Sequence, residues 1–178
     1  MTISYILSAM HEFVRYISIH TGDLVALIIL FFIISMLSGV KMNVRFLAMY
    51  LLVILYMTIF SRKSGDRSMS LRPFVYYKYF FTNDYLRRQI LNNILLFVPL
   101  GIILSQLRPQ WSTVRLLPCI SLVIEILQFI TARGLFETDD IIHNSLGGMI
   151  GFTAGMLWIL MTCLVQKMKH SFFCTKKE

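Results

Sequence analysis

Long runs of apolar residues, separated by polar segments, dominate the hydrophobic pattern of this chain. Five runs approach the roughly 17–25 apolar residues that a membrane-spanning helix needs. They cover residues 24–40, 44–60, 90–107, 114–132 and 141–165. A soluble helical bundle would need a polar outer face on each helix, and the second and fifth runs show almost none. The pattern therefore predicts an all-α fold, a polytopic helical membrane protein with about five transmembrane helices.

The chain before the first run has a different pattern. Residues 1–22 carry apolar side chains at helical spacing, interrupted by His11, Glu12 and Arg15. This pattern is typical of an amphipathic helix that lies on a membrane surface. We therefore divide the chain into an amphipathic N-terminal segment (1–22), a single transmembrane domain (23–166) and a basic tail (167–178).

Composition and charge support the same class. Hydrophobic residues make up 57% of the 178 residues, above the 45–50% that is usual for a soluble domain. The net charge of +8 lies mostly outside the apolar runs, where it sets topology and attracts anionic lipid head groups. We expect membrane lipids, and no nucleic acid, as partners. The three cysteines lack CxxC spacing and indicate neither a disulfide nor a zinc framework.

Polar side chains inside the apolar runs are the main candidates for function. Glu125 and Gln128 interrupt the fourth run, and Asn92 and Asn93 open the third. A charge held in hydrocarbon costs at least a few kcal/mol, so such residues are functional candidates by default. The alternative is a hydrogen-bonded clamp between helices, which we favour for Gln128, Ser121 and Asn92. For Glu125 and Asn93 the two interpretations carry about equal weight.

A second polar group opens the fifth run. Thr138 or Asp139 can cap that helix, and acids suit its first turn. Capping accounts for one acid and leaves Asp140, His143 and Asn144 without an explanation. All three lie on the stripe that should face the bundle.

Glycines continue this stripe along the fifth run. Gly147, Gly151 and Gly155 recur every fourth residue, which is typical of a surface where two helices pack closely. We expect the third or fourth span to approach here and to place its own polar side chains beside Asp140 and Asn144.

The two polar loops around this group should lie on one side of the membrane. With five spans, the long basic loop 61–89 and the short acidic loop before the fifth run emerge together. We expect the long loop to cover the polar residues and to supply cations that hold an anionic head group such as a phosphate. Candidate catalytic residues are Glu125, Asp140 and Arg62. Candidate ligand-binding residues are Arg72, Asn93, Gln128, Asp139 and Asn144.

A metal site can also be assembled from the acidic residues. Glu125, Asp139, Asp140 and His143 combine carboxylate and imidazole ligands that suit several divalent ions. Their spacing matches no recognised ligand pattern. The requirement for a metal or any other cofactor therefore stays open.

Several motifs in order resemble the VanZ-like family. They are Thr58 to Arg62, Leu71-Arg72-Pro73-Phe74, the stretch from Asn92 to Gly101, Glu125 to Phe129, and Asp139 to Gly148, and the resemblance covers residues 56–155. It implies a multi-pass protein of the bacterial plasma membrane, whose namesake is an accessory determinant of resistance to the glycopeptide teicoplanin. The residues that match the family pattern are Arg62, Pro73, Phe74, Asn93, Pro99, Gly101, Glu125, Gln128, Asp140, Asn144, Gly147 and Gly151. His143 departs from it, since small or apolar residues are usual at this position.

Three functions fit these residues. One is a membrane enzyme acting on a lipid-linked envelope substrate, with Glu125 as general acid or base and Asp140 as its partner. Another is a protein that binds or shields an envelope precursor or a lipoglycopeptide without catalysis. A third is a small transporter. The sequence lacks the inverted repeats that many transporters contain, which argues against this function. Whether the protein is an enzyme, and its oligomeric state, are left open.

Overall fold

The computed structural model describes residues 42–60, 62, 65, 67–75 and 77–174, together with the single positions 7, 11 and 25. The side chains at 42–43 and 170–174 are outside this description. The predicted amphipathic segment (1–22) and the first predicted span (24–40) therefore lie outside the described residues, apart from those single positions.

Four α-helices are described. Helix α1 covers Met42–Leu55 and continues as a π-helical segment, Tyr56–Phe60. Helix α2 covers Asp84–Leu107. Helix α3 covers Leu116–Thr131, preceded by a 3-10 helix at Trp111–Arg115, and helix α4 covers Thr138–Cys174. A further 3-10 turn lies at Tyr77–Tyr79, and two short strands lie at Met69–Ser70 (β1) and Phe136–Glu137 (β2).

The helix lengths confirm the predicted class. Three helices are long and apolar enough to cross a membrane, at Asp84–Leu107, Trp111–Thr131 and Thr138–Lys169, and a shorter apolar helix covers Val44–Phe60. The chain is thus an all-α, helical membrane protein. The part of the chain that the structure describes contains fewer spans than the five predicted.

Helix α2 begins earlier than its apolar run predicted. Asn83 caps it, and the side-chain oxygen of Asn83 accepts hydrogen bonds from the backbone N–H groups of Tyr85 and Leu86 at 3.0 and 3.2 Å. Such a cap satisfies N–H groups that have no partner within the helix. The first turns carry an ion pair between Arg87 and Asp84. The predicted loop of 61–89 was therefore too long, because hydropathy alone does not detect a helix whose first turns are polar.

Glycines bring the backbones of α2 and α4 into direct contact. A Cβ atom added at Gly151 would lie 1.9 Å from the carbonyl oxygen of Val98, and one added at Gly147 would lie 2.1 Å from that of Ile94. From the other helix, a Cβ at Gly101 would lie 2.0 Å from the Gly148 carbonyl oxygen. The close packing predicted from the glycine spacing is confirmed, with α2 as the partner. The buried apolar core beside this contact comprises Ile54, Met57, Leu96, Phe97, Leu100, Leu104, Leu117, Ile124 and Phe152.

The long loop and the α3–α4 loop pair with each other. Strands β1 and β2 are parallel, with Met69 opposite Phe136 and Ser70 opposite Glu137. The N–H of Gly65 also donates to the Ala132 carbonyl at 2.7 Å. The two loops thus lie at the same end of the bundle, as the parity of the spans predicted.

Candidate functional site

The first turns of α4 hold two buried polar side chains, each with a partner on another helix. Asp140 is 6% exposed, and its Oδ1 accepts a hydrogen bond of 2.6 Å from Nδ2 of Asn93 on α2. One turn later, Nδ2 of Asn144 donates to Oγ of Ser121 on α3 at 2.8 Å. Both nominated helices therefore contribute a polar partner to α4.

The polar stripe of α3 faces the interior. Ser121, Glu125 and Gln128 are 0%, 1% and 2% exposed. Oε2 of Glu125 accepts a hydrogen bond from the backbone N–H of Glu137 at 3.2 Å. Nε2 of Gln128 donates to the carbonyl of Thr58 at 3.1 Å. Gln128 therefore clamps α3 to the π-helical end of α1, in line with the clamp interpretation.

The long loop is attached to the beginning of α4. Oγ1 of Thr138 donates to the Leu71 carbonyl at 3.3 Å, and the N–H of Phe74 donates to Oδ1 of Asp139 at 2.9 Å. The prediction that Thr138 or Asp139 caps α4 was wrong. The parallel pairing of β1 and β2 brings the loop backbone next to this helix end, so both side chains bond to the loop.

An aromatic contact completes this attachment. The Tyr77 hydroxyl is hydrogen-bonded to Nε2 of His143, and the two rings stack with their centroids 5.9 Å apart. Nδ1 of His143 is buried without a partner among the described residues, and the side chain is 4% exposed. The histidine that departs from the family pattern thus anchors the loop that covers the helix ends.

A cavity of about 480 Å³ opens between the loop and the helix ends. This volume is within the range of roughly 300–1,000 Å³ that is usual for small-molecule sites. Its lining residues are Arg62, Gly65, Tyr77, Tyr79, Asn83, Tyr85, Leu86, Gln89, Ile90, Arg133, Gly134, Leu135, Glu137, Asp139, Asp140 and His143.

Only some of the predicted site residues line this cavity. Arg62, Asp139 and Asp140 do. Four others are absent from the lining, namely Glu125, Asn93, Gln128 and Asn144. Of these, Glu125 is bonded to the backbone of Glu137, and Asn93 is bonded to Asp140. Arg72 is exposed and is also absent from the lining.

Two arginines provide the cationic part of the lining. Nη1 of Arg133 donates to the carbonyls of Ile59 and Phe60 at 3.4 and 3.2 Å. The Arg62 guanidinium lies against the α3–α4 loop, since a Cβ added at Gly134 would lie 3.1 Å from its Nη1. Among the described residues, neither arginine forms an ion pair with a carboxylate. Both therefore retain donors that a ligand could use.

Glu137 is a lining residue that the sequence analysis did not select. Its Oε2 accepts a hydrogen bond of 3.2 Å from Nε2 of Gln89. Burial, with a smaller contribution from the negative charge of Asp139, raises the pKa of the Glu137 carboxyl, against the opposing effects of the Gln89 hydrogen bond and the Arg62 charge. Burial and Asp139 likewise raise the pKa of the Tyr77 hydroxyl. The position of Glu137, two residues before Asp139, was the available signal.

The described residues do not support the possible metal site, which the sequence analysis left open. Among them, no three His, Cys, Asp or Glu side chains are placed to hold one ion. Of the four residues considered for that site, three line the cavity, namely Asp139, Asp140 and His143. The fourth, Glu125, is absent from the lining.

Comparison with known proteins gives two matches. The VanZ/LLP1 family profile matches residues 46–162. Protein VanZ of Enterococcus faecium is 29% identical over 119 residues, which cover 59% of this chain and 68% of the relative. No solved structure matches the chain. The cavity-lining residues from Arg62 to His143 all fall inside the matched region.

Proposed function

We propose that this chain, which belongs to the VanZ/LLP1 family, binds the polar part of a lipid-linked or anionic cell-envelope ligand in the cavity at its helix ends. It would do so as a multi-pass protein of the bacterial plasma membrane. Given its resemblance to the teicoplanin-resistance determinant that gives the family its name, we further propose that this binding contributes to glycopeptide resistance.

The observation that carries the proposal is the combination of charges at one end of a membrane-spanning bundle. Arg62 and Arg133 line a cavity at the level where α2 and α4 begin. A guanidinium binds a phosphate or carboxylate through two parallel hydrogen bonds, and this geometry suits an anionic head group. Among the described residues, no carboxylate forms a close ion pair with Arg62 or Arg133.

The aromatic residues near the cavity favour a ligand that is anchored in the membrane. Tyr79 and Tyr85 line the cavity, and the neighbouring Phe81 is 81% exposed. Aromatic side chains are enriched at the level of lipid head groups, where one part of the ring is in apolar surroundings and the other in water. A lipid-linked ligand could thus keep its apolar chains in the bilayer while its head group enters the cavity.

The geometry favours binding over catalysis. Glu125, the candidate general acid or base, is absent from the cavity lining, and its carboxylate accepts a hydrogen bond from the backbone of Glu137. A general acid must come within hydrogen-bond reach of the reacting atom. An enzymatic function is the alternative, because Asp140 is a buried acid that lines the cavity.

Glycopeptide susceptibility of a host that expresses each variant tests the proposal. We expect wild-type protein to lower teicoplanin susceptibility, Arg62→Ala to lose this effect, and Arg62→Lys to restore only part of it, since lysine cannot form the bidentate contact. Arg115→Ala is the matched control, because Arg115 is exposed and lies before α3, at the other end of that helix from the cavity.

Two further results of the same experiment are informative. Glu125→Gln should largely retain activity if the protein binds its ligand, and should lose it if Glu125 transfers a proton. Full activity of Arg62→Ala at a normal membrane level would contradict the proposed role of the cationic lining.

A further inference from the structure

The charges that line the cavity do not match a purely anionic ligand. Three carboxylates line it, from Glu137, Asp139 and Asp140, against the two guanidiniums of Arg62 and Arg133. Arg133 already donates to two carbonyls at the end of the π-helical segment. A ligand with negative charge alone would leave the carboxylates unmatched, and unmatched charges in a partly buried site are costly.

The three carboxylates share one hydrogen-bonding arrangement. In each, one oxygen accepts a hydrogen bond from the protein: Asp140 from Asn93, Glu137 from Gln89, and Asp139 from the N–H of Phe74. The second oxygen of each accepts none from the described residues. The internal bonds fix the orientation of each carboxylate and leave one acceptor available.

The second oxygen of Asp140 is accessible from the cavity. Asp140 is only 6% exposed and lines the cavity, and its second oxygen is not among the described atoms that are buried without a partner. A donor that enters the cavity can therefore reach this oxygen. In the same wall, Nδ1 of His143 is buried without a partner among the described residues.

A primary ammonium group supplies the matching donors. It carries one positive charge and three N–H donors, and it has no acceptor. Tyr85 lines the same cavity, and aromatic faces attract organic cations. A single metal ion fits less well, because it needs several ligand atoms at about 2.0–2.6 Å, and among the described residues no three acidic or histidine side chains are placed to hold one.

We propose that the ligand is zwitterionic, with a phosphate held by Arg62 and a primary ammonium that lies among the carboxylates of Glu137, Asp139 and Asp140, as in a phosphoethanolamine head group of a lipid. This inference rests on the proposed function, and it specifies that the envelope ligand carries a primary ammonium as well as a phosphate. It predicts discrimination among lipids that share a phosphate and differ only at nitrogen.

Native mass spectrometry of the full chain in detergent, with equal amounts of phosphatidylethanolamine, phosphatidylcholine and phosphatidylglycerol, measures that discrimination. Wild-type protein should retain phosphatidylethanolamine over both other lipids, by about tenfold over phosphatidylcholine, since the quaternary ammonium of the latter has no N–H donor and loses the charge-assisted hydrogen bonds. Soluble phosphoethanolamine, added as a competitor, distinguishes the source. Displacement by it at a concentration equal to that of the lipid would identify the free head group, rather than the lipid, as the ligand.

Two isosteric variants test the assignment of the ammonium partners. Glu137→Gln and Asp139→Asn each keep an oxygen that can accept the internal hydrogen bond and lose only the charge of the carboxylate. Each should reduce the preference for phosphatidylethanolamine about tenfold and leave the binding of phosphatidylglycerol unchanged or stronger. Asp84→Asn is the matched control, since Asp84 pairs with Arg87 and is absent from the cavity lining. It should behave as wild type.

The possible failures are distinguishable. Equal retention of phosphatidylethanolamine and phosphatidylcholine, with a loss of both in Arg62→Gln, would overturn the zwitterionic ligand and leave the proposed phosphate site intact. The same conclusion would follow if the preference persisted in both carboxylate variants. If no phospholipid were retained, this inference would fail, and the proposed ligand would be restricted to a lipid-linked envelope precursor. If Arg62→Gln retained all three lipids, the proposed phosphate site at Arg62 would fail together with this inference.

Discussion

Replacing Gly151 by alanine should strongly destabilise the contact between α2 and α4. The new Cβ would lie 1.9 Å from the carbonyl oxygen of Val98, 2.7 Å from its carbonyl carbon and 3.0 Å from its Cα. All three are backbone atoms of α2, so a change of rotamer cannot relieve the clash. The distance must grow from 1.9 Å to at least the 3.4 Å at which ordinary van der Waals contact begins, and the two helices must separate.

The size of the effect follows from this geometry. Overpacking of a tight interface costs typically 1–3 kcal/mol, and a contact with the backbone places Gly151→Ala near the upper end. For a chain of this length, about 3 kcal/mol corresponds to a fall of roughly 6–12 °C in melting temperature. The Asn93–Asp140 hydrogen bond joins the same two helices, so ligand binding should weaken as well.

Thermal unfolding of the purified protein in detergent, followed by circular dichroism, measures this effect. Gly65→Ala is the matched control, because an added Cβ there has no atom within 4 Å and Gly65 does not have a positive φ. Gly151→Leu should fail to accumulate in the membrane. The reasoning would be refuted if Gly151→Ala melted at the same temperature as Gly65→Ala, since α2 and α4 would then not be in the close contact described.

Three further predictions concern the cavity and its cover. Tyr77→Phe removes the partner of His143 Nε2 and should destabilise the loop by about 1–3 kcal/mol, seen as faster proteolysis of the loop, whereas Tyr79→Phe should not, because no described residue bonds its hydroxyl. Arg72→Ala should retain ligand binding in the lipid-retention assay, since Arg72 does not line the cavity; a complete loss would contradict this. Because burial raises the pKa of Glu137, that residue stays protonated to a higher pH than an exposed glutamate. Retention of an amine-bearing lipid should therefore increase as pH rises through that pKa, and Glu137→Gln should weaken this dependence.

The elements that the sequence predicted well are those encoded by local spacing. Ser121, Glu125 and Gln128 repeat at helical intervals, and all three are buried on one face of α3. The spacing of Gly147 and Gly151 likewise identified a close helix contact, because only a residue without a side chain permits the observed distances. Helical periodicity determines which residues share a face, so a single sequence suffices for such predictions.

The elements that the sequence did not predict depend on contacts between distant segments. The pairing of β1 with β2 spans only two residues in each strand and leaves no periodic pattern. It places Glu137 and Arg133 in the cavity wall and turns Thr138 and Asp139 toward the loop. The roles of these residues depend on the position of the long loop. The pairing of β1 with β2 determines that position, and the spacing of residues in the sequence does not indicate this pairing.

The cavity lining distinguishes two buried acids that the sequence analysis placed in one site. Glu125 and Asp140 are 1% and 6% exposed, and Asp140 lines the cavity whereas Glu125 does not. The backbone N–H of Glu137, a lining residue, donates to the Glu125 carboxylate. Whether a buried acid lines the cavity depends on the path of the α3–α4 loop, which residue spacing does not encode.

The most direct test of the account is to identify the molecule that co-purifies with the protein from bacterial membranes. Native mass spectrometry of wild-type protein should show a bound phosphate-bearing lipid or lipid-linked envelope precursor. Its occupancy should fall at least about tenfold in Arg62→Gln, as expected when a charge-assisted contact is lost, and should be unchanged in Arg115→Gln. Equal occupancy in wild-type and Arg62→Gln protein, or no bound phosphate-bearing molecule in the wild type, would contradict the claim that this cavity binds an envelope ligand.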